Sequence, residues 1–159
     1  MTNLKERSKK MDKRYIHYNS DTFDKERLKR ALTHDKKYRR RDKPFGLWAS
    51  PVNAELGWKE WCEDEEWRLD KLDESFEFSL SPEAKILTIN KLEDAADFLL
   101  ELRMHGIRVQ ALDLPMIYDR YDAMEVNMSN DFMNFHDNEV FYSWDVDSIV
   151  IWNPDIIVV

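Results

Sequence analysis

The sequence predicts an α+β fold built on a strongly curved, largely antiparallel sheet, and three observations carry that expectation. Segments rich in β-branched and aromatic residues are intermixed with segments of helical periodicity, so the chain is neither all-α nor all-β. Strand-like segments concentrate in the last third, at 139–145, 148–152 and 154–159, with spacing too irregular for repeated βαβ units. Aromatic residues make up 13% of the 159 residues and glycine occurs only three times, which argues against a disordered chain and for one domain with a sizeable core.

Taken in order, residues 1–13 lack periodicity and are expected to form a flexible basic tail, leaving 14–159 as a single domain. Residues 14–19 read as a strand with Tyr15 and His17 on one face and Ile16 and Tyr18 on the other. Ser20 or Asp21 is placed to cap a helix whose stripe is Leu28, Ala31 and Leu32. The run 43–62 compresses a strand, a turn at Pro51 and a helix carrying Trp58, Trp61 and Cys62; Gly46 there suits a close backbone approach or a positive φ. Phe76, Phe78 and Leu80 alternate as in a half-buried strand, Pro82 ends it, and 84–89 supplies another. Asn90 and Glu93 resemble a capping box, and Leu92, Ala95, Ala96, Leu99 and Leu102 predict a helix that stops at Gly106. A short strand at 107–112 and a loop or single helical turn at 113–120 lead to a strand at 121–126. That strand points Tyr121, Ala123 and Glu125 one way and Asp122, Met124 and Val126 the other. Residues 145–147 read as a turn before the strand at 148–152.

Charge is unevenly distributed. Residues 1–43 hold 16 of the 24 Lys and Arg against 7 acids, whereas 44–159 hold 8 against 25, so a head of +9 precedes a body of −17. Such a head fits a polyanionic partner, and the dense run Arg39, Arg40 and Arg41 would make salt-sensitive, sequence-blind phosphate contacts. Internal charge complementarity is the plainer alternative. The lone Cys62 rules out an internal disulfide framework and fits a reducing cytoplasm. No apolar run is long enough for a signal peptide or a membrane span, so the expected location is cytoplasmic.

No glycine-rich phosphate loop precedes a helix, and the four histidines lack metal-ligand spacing, so no metal site is expected. Three features remain: an early His17, the segment Phe45-Gly46-Leu47-Trp48-Ala49-Ser50 with a helix behind it, and the late Glu125. Each has a bland reading as core, turn or surface. Their order resembles the ADP-ribosyltransferase fold, in particular small bacterial and phage domains with a Phe-Gly-aromatic-x-Ser/Thr second strand. The resemblance spans roughly residues 14–126.

The resemblance implies a NAD-dependent mono-ADP-ribosyltransferase, a toxin or effector of the glycosyltransferase class, with NAD as substrate. Glu125 would be catalytic, contacting the nicotinamide ribose as the glycosidic bond breaks. His17, Gly46, Trp48 and Ser50 would bind the dinucleotide, with His17 on a ribose hydroxyl, Trp48 as an aromatic wall and Ser50 holding Glu125. Tyr118 and Arg120, with Arg39 to Arg41, would meet a protein or nucleic-acid acceptor, and an antitoxin or inhibitor is a further implied partner. Ala123 stands where arginine-directed members carry an acid or Gln, which tells against an arginine acceptor. The competing expectation is a non-catalytic, phage-encoded interaction protein that binds a partner or nucleic acid through its acidic body or basic head. If His17, Ser50 and Glu125 lie on opposite sides of the sheet, the site as drawn from the sequence fails.

Overall fold

Period-two alternation shapes a set of short strands, and a computed structural model describing residues 13–34 and 43–159 shows how it is used. Among these residues nine strands form: β1 (Tyr15–Tyr18), β2 (Leu47–Pro51), β3 (Ser75–Leu80), β4 (Ile86–Ile89), β5 (Leu99–Met104), β6 (Ile107–Leu112), β7 (Ala123–Val126), β8 (Ser148–Ile151) and β9 (Ile157–Val158). Among the described residues four α-helices accompany them: α1 (Lys25–His34), α2 (Trp58–Asp64), α3 (Leu114–Arg120) and α4 (Phe132–His136). Seven strands make one curled sheet in the order β4-β7-β8-β2-β1-β3-β9, antiparallel throughout except for the β4/β7 pair.

Each face of this sheet carries its own core. Leu87, Ile89, Met124, Val126 and Val150 pack with Ile117, Phe135, Phe141 and Trp144 from the helices and loops on one side. Tyr15, Ala49, Phe76, Phe78, Ala123, Ile149 and Ile151 gather on the other, where the curl brings strands together. Burying a large apolar side chain of this kind contributes about 1.5–3 kcal/mol. The register follows directly: Met124 faces Val150, which faces Trp48, while Glu125 faces Ile149, which faces Ala49.

Local expectations are corrected at four places. The helix begins at Lys25, and Asp24, rather than Ser20 or Asp21, caps it by accepting from the Arg27 N–H at 2.9 Å. Residues 90–106 do not form one helix: a 3-10 segment, Leu92–Phe98, gives way to β5, which turns through His105 and Gly106 into β6. Both turn residues have positive φ, 52° and 81°, as a two-residue primed turn requires. The stripe Leu99 and Leu102 satisfied a helical period, but Leu100, Leu102 and Met104 also satisfy a period of two, and pairing with Ala111, Val109 and Ile107 prevails. The capping carboxylate belongs to Asp94, which accepts from the Asn90 and Lys91 N–H groups. Finally, 139–145 is a series of turns whose Val140, Phe141 and Trp144 drop into the core, and 113–120 is mainly the helix α3, capped by Asp113.

Among the described residues no helix is long and apolar enough to cross a membrane. Lys13, assigned by sequence to the tail, is tied to the sheet through Glu125.

Candidate functional site

Strand β2 belongs to two half-sheets. Its first three residues pair with β8, and its last two, Ser50 and Pro51, pair with Ile16 and Tyr15 of β1. Beyond Ile16, β1 stays paired with β3 as far as Tyr18 but has parted from β2. The Trp48 carbonyl therefore has no partner in the β1 ladder, and the His17 Nδ1–H donates to it at 2.6 Å. This bond fixes the tautomer and leaves Nε2 as the ring's acceptor. Burial pushes the His17 pKa down, only partly opposed by the bond to Trp48, so the neutral ring is favoured.

A cavity of about 850 Å³ occupies this split. One wall is Ile16 to Asn19, from β1 and the residue after it; the opposite wall is Trp48 to Ser50, Ser148 and the loop 143–146. Trp58 of α2, with Arg68 and Lys71 from the 3-10 turn Leu69–Leu72 and its flank, borders it as well. Asn19 and Arg68 are two of the four described non-glycine residues with positive φ, at 81° and 48°. Strained backbone of this kind is concentrated at binding sites more often than elsewhere.

Lys43 stands at the aromatic wall. Its ammonium lies 5.7 Å and 5.6 Å from the Trp48 and Trp144 ring centres and donates to the Ser143 carbonyl at 2.5 Å. The two indoles themselves are 5.0 Å apart and tilted by 57°. Burial lowers the Lys43 pKa, and the nearby Asp145 carboxylate opposes that shift. Among the described residues Asp145 is the acid that borders the cavity. Two residues on, Asp147 is buried and serves the fold instead. Its carboxylate accepts from the Ser129 N–H at 2.7 Å and the Ser129 hydroxyl at 2.6 Å, and its N–H donates to the Leu56 carbonyl at 2.8 Å. Those bonds anchor the loop that carries Asp145.

The residues singled out in the sequence separate in space. His17, Trp48 and Ser50 border the cavity. Glu125 does not. It faces the opposite side of the sheet from Trp48 and Ser50, is 3% exposed, and accepts two bonds from the Lys13 ammonium at 2.9 and 3.1 Å. Tyr15 also bonds to it, and its hydroxyl pKa is raised by burial and then by that carboxylate. Ser50 thus cannot hold Glu125; its Oγ accepts instead from the Trp58 N–H at 3.2 Å, at the first turn of α2.

Gly46 is a close-packing position rather than a cavity residue. A Cβ there would come within 2.1 Å of the Ile151 carbonyl oxygen. The Tyr118 hydroxyl accepts from the Phe45 N–H at 3.0 Å and its ring meets Trp152 edge-on, so it packs behind β2 instead of facing an acceptor. Arg120 is exposed at the end of α3 and does not border the cavity. Arg39, Arg40 and Arg41 lie outside the described residues.

Sequence reasoning missed Lys43, Trp58, Asp145 and Trp144 as parts of one cavity. The signal for Asp145 was present as an acid in the turn that delivers β8, but nothing in a linear pattern says which side of the sheet that turn overhangs. No group of three or more His, Cys, Asp or Glu is arranged to hold a metal among the described residues. No protein-family model matches the chain, and no curated protein or solved structure matches it either.

Proposed function

We propose that this cavity binds NAD and that the protein is a mono-ADP-ribosyltransferase, with Asp145 in the role that the sequence alone assigned to Glu125. The observation that carries the reading is the composition of one cavity among the described residues: the cations Lys43, Arg68 and Lys71, indole walls from Trp48, Trp58 and Trp144, a neutral His17 and the carboxylate of Asp145. Aromatic faces with surplus positive charge suit a ligand that joins flat rings to phosphates. A cavity of about 850 Å³ is within the range of sites that enclose organic ligands.

The chemistry asks little of the protein. The bond between the ribose C1′ and the nicotinamide nitrogen breaks with its electron pair passing to nicotinamide, which leaves uncharged, so no general acid is needed. A carboxylate beside the ribose stabilises the positive charge that develops there. His17, with Nε2 free to accept, suits a ribose hydroxyl. The acceptor's lone pair then forms the new bond to C1′ as its proton passes to solvent.

The test is NAD turnover or transfer to a macromolecule by the full chain and by Asp145→Asn. Loss of about 10²–10³-fold in rate with retained folding is expected for the variant. Unchanged turnover in Asp145→Asn, or no NAD binding by the unaltered protein, sinks the reading.

A second reading, a non-catalytic interaction protein, has one observation in its favour. The β5/β6 hairpin turns an apolar face outward, with Met104 and Ile107 56% and 65% exposed. It predicts that substitutions at Leu102 and Met104 abolish the biological effect while Asp145→Asn leaves it intact.

A further inference from the structure

The geometry points to Lys43 as the residue that reads phosphate in this cavity, its ammonium taking an oxygen of the ligand's pyrophosphate at the Trp48–Trp144 wall. The inference rests on the NAD reading and adds to it which cation binds the phosphate.

Three observations single Lys43 out. An ammonium has three N–H donors, and the bonds Lys43 makes among the described residues use one of them, to the Ser143 carbonyl. Several surface lysines have carboxylates within ion-pair distance: Lys25 and Lys29 share Asp155, and Lys59 meets Glu63. Lys43 is half-buried and has two indole faces in that place. The lost hydration of its charge is only partly offset by Asp145, which lies beyond ion-pair distance, and by the π-faces.

The second donor without an acceptor is in the same wall. The indole N–H of Trp144, a residue 2% exposed, is the buried side-chain polar atom that lacks a partner among the described residues. Buried polar groups nearly always find partners, and this N–H, shut off from solvent and so from the contents of the cavity, would meet a ligand only if the wall shifted. The two N–H donors that Lys43 has left over, half-buried beside the indoles, call for an acceptor-rich, anionic partner. The indole faces beside them would hold a flat ring attached to that anion. Asp145 borders the same cavity as Lys43 but forms no hydrogen bond to it. A ligand phosphate at the ammonium and a ribose at the carboxylate can therefore be served together.

Titration of the full chain by calorimetry and intrinsic tryptophan fluorescence tests this, with ADP-ribose, NAD, inorganic pyrophosphate and nicotinamide as probes. Lys43→Gln removes the charge while keeping an N–H donor on a slightly shorter side chain; Lys43→Arg restores the charge. ADP-ribose and pyrophosphate should bind Lys43→Gln about tenfold more weakly than the unaltered chain, nicotinamide equally, and Lys43→Arg should recover most of the loss. Equal ADP-ribose affinity in Lys43→Gln overturns the inference and leaves the NAD reading standing. Charge-dependent binding of pyrophosphate without binding of NAD or ADP-ribose supports the phosphate site and sinks the NAD reading. Absence of binding by every phosphate compound overturns the inference.

Discussion

The His17 Nδ1–H reaches the carbonyl oxygen of Trp48 at 2.6 Å, across the place where β1 leaves β2. A side chain thus completes a backbone bond that the ladder leaves open, and the cavity beside it exists because the strands part. The ring needed for that bond is a half-buried imidazole.

Its protonation should therefore be visible in stability. The folded-state pKa of His17 is lowered, so the unfolded chain binds this proton more readily, and stability is lost as pH falls through the ordinary histidine value of about 6.5. Carboxylates also weaken the fold in acid, so the informative quantity is a difference. Urea midpoints measured between about pH 7.5 and about pH 5 should fall less in His17→Phe than in the unaltered protein. Parallel slopes would show that His17 titrates alike in both states.

Glu125 should behave as a structural carboxylate. Replacing it by Gln leaves Tyr15 and Lys13 facing a neutral amide, and about 1–2 kcal/mol of stability should be lost in chemical denaturation. Lys13→Met should cost less than about 1 kcal/mol, because the Lys13 side chain is 45% exposed and its attraction is screened. Ligand affinity at the His17 cavity should stay within about twofold in both variants. A large loss of affinity in Glu125→Gln would restore that residue to the site.

Gly46 should tolerate no side chain. A methyl group would sit 2.1 Å from the Ile151 carbonyl oxygen, which is backbone and cannot swing aside. Gly46→Ala is expected to destabilise by about 3 kcal/mol, read as a lowered denaturation midpoint with an unchanged slope. A change within experimental error would mean that β2 and β8 slide apart at little cost.

The hairpin tip gives a prediction of opposite sign. His105 holds a φ of 52°, where Asn is favoured, and Gly106 already occupies the second turn position. His105→Asn should strengthen the hairpin, seen as slower amide exchange in β5 and β6 with little effect on the midpoint of global unfolding. Faster exchange would contradict the turn assignment. Gly106→Ala, at a φ of 81°, should loosen the same strands.

The residues of β1, β2, β3, β7 and β8 were legible because alternation fixes which side chains share a face of one strand. Met124 and Val126 do lie on the face opposite Glu125, as the hexapeptide pattern requires. Alternation fails where two periods fit the same letters, and 92–104 is such a place: exposed leucines on an arm that packs little carry no burial signal to separate helix from strand. The segment 139–145 fails for the converse reason, since its apolar residues are recruited one at a time by a core assembled from distant elements.

By itself the sequence determined an α+β protein with a curled, mostly antiparallel sheet, an aromatic second strand leading into a tryptophan-bearing helix, and an early histidine near both. Only the tertiary structure decided which acid joins them. Within a strand the face of a side chain is set by the two-residue pleat, but whether Glu125 shares a face with Ser50 depends on the register of β7, β8 and β2, and that register puts them on opposite sides. Asp145 reaches the cavity along a loop pinned by Asp147 to Leu56 and Ser129, contacts far apart in sequence that no local pattern encodes.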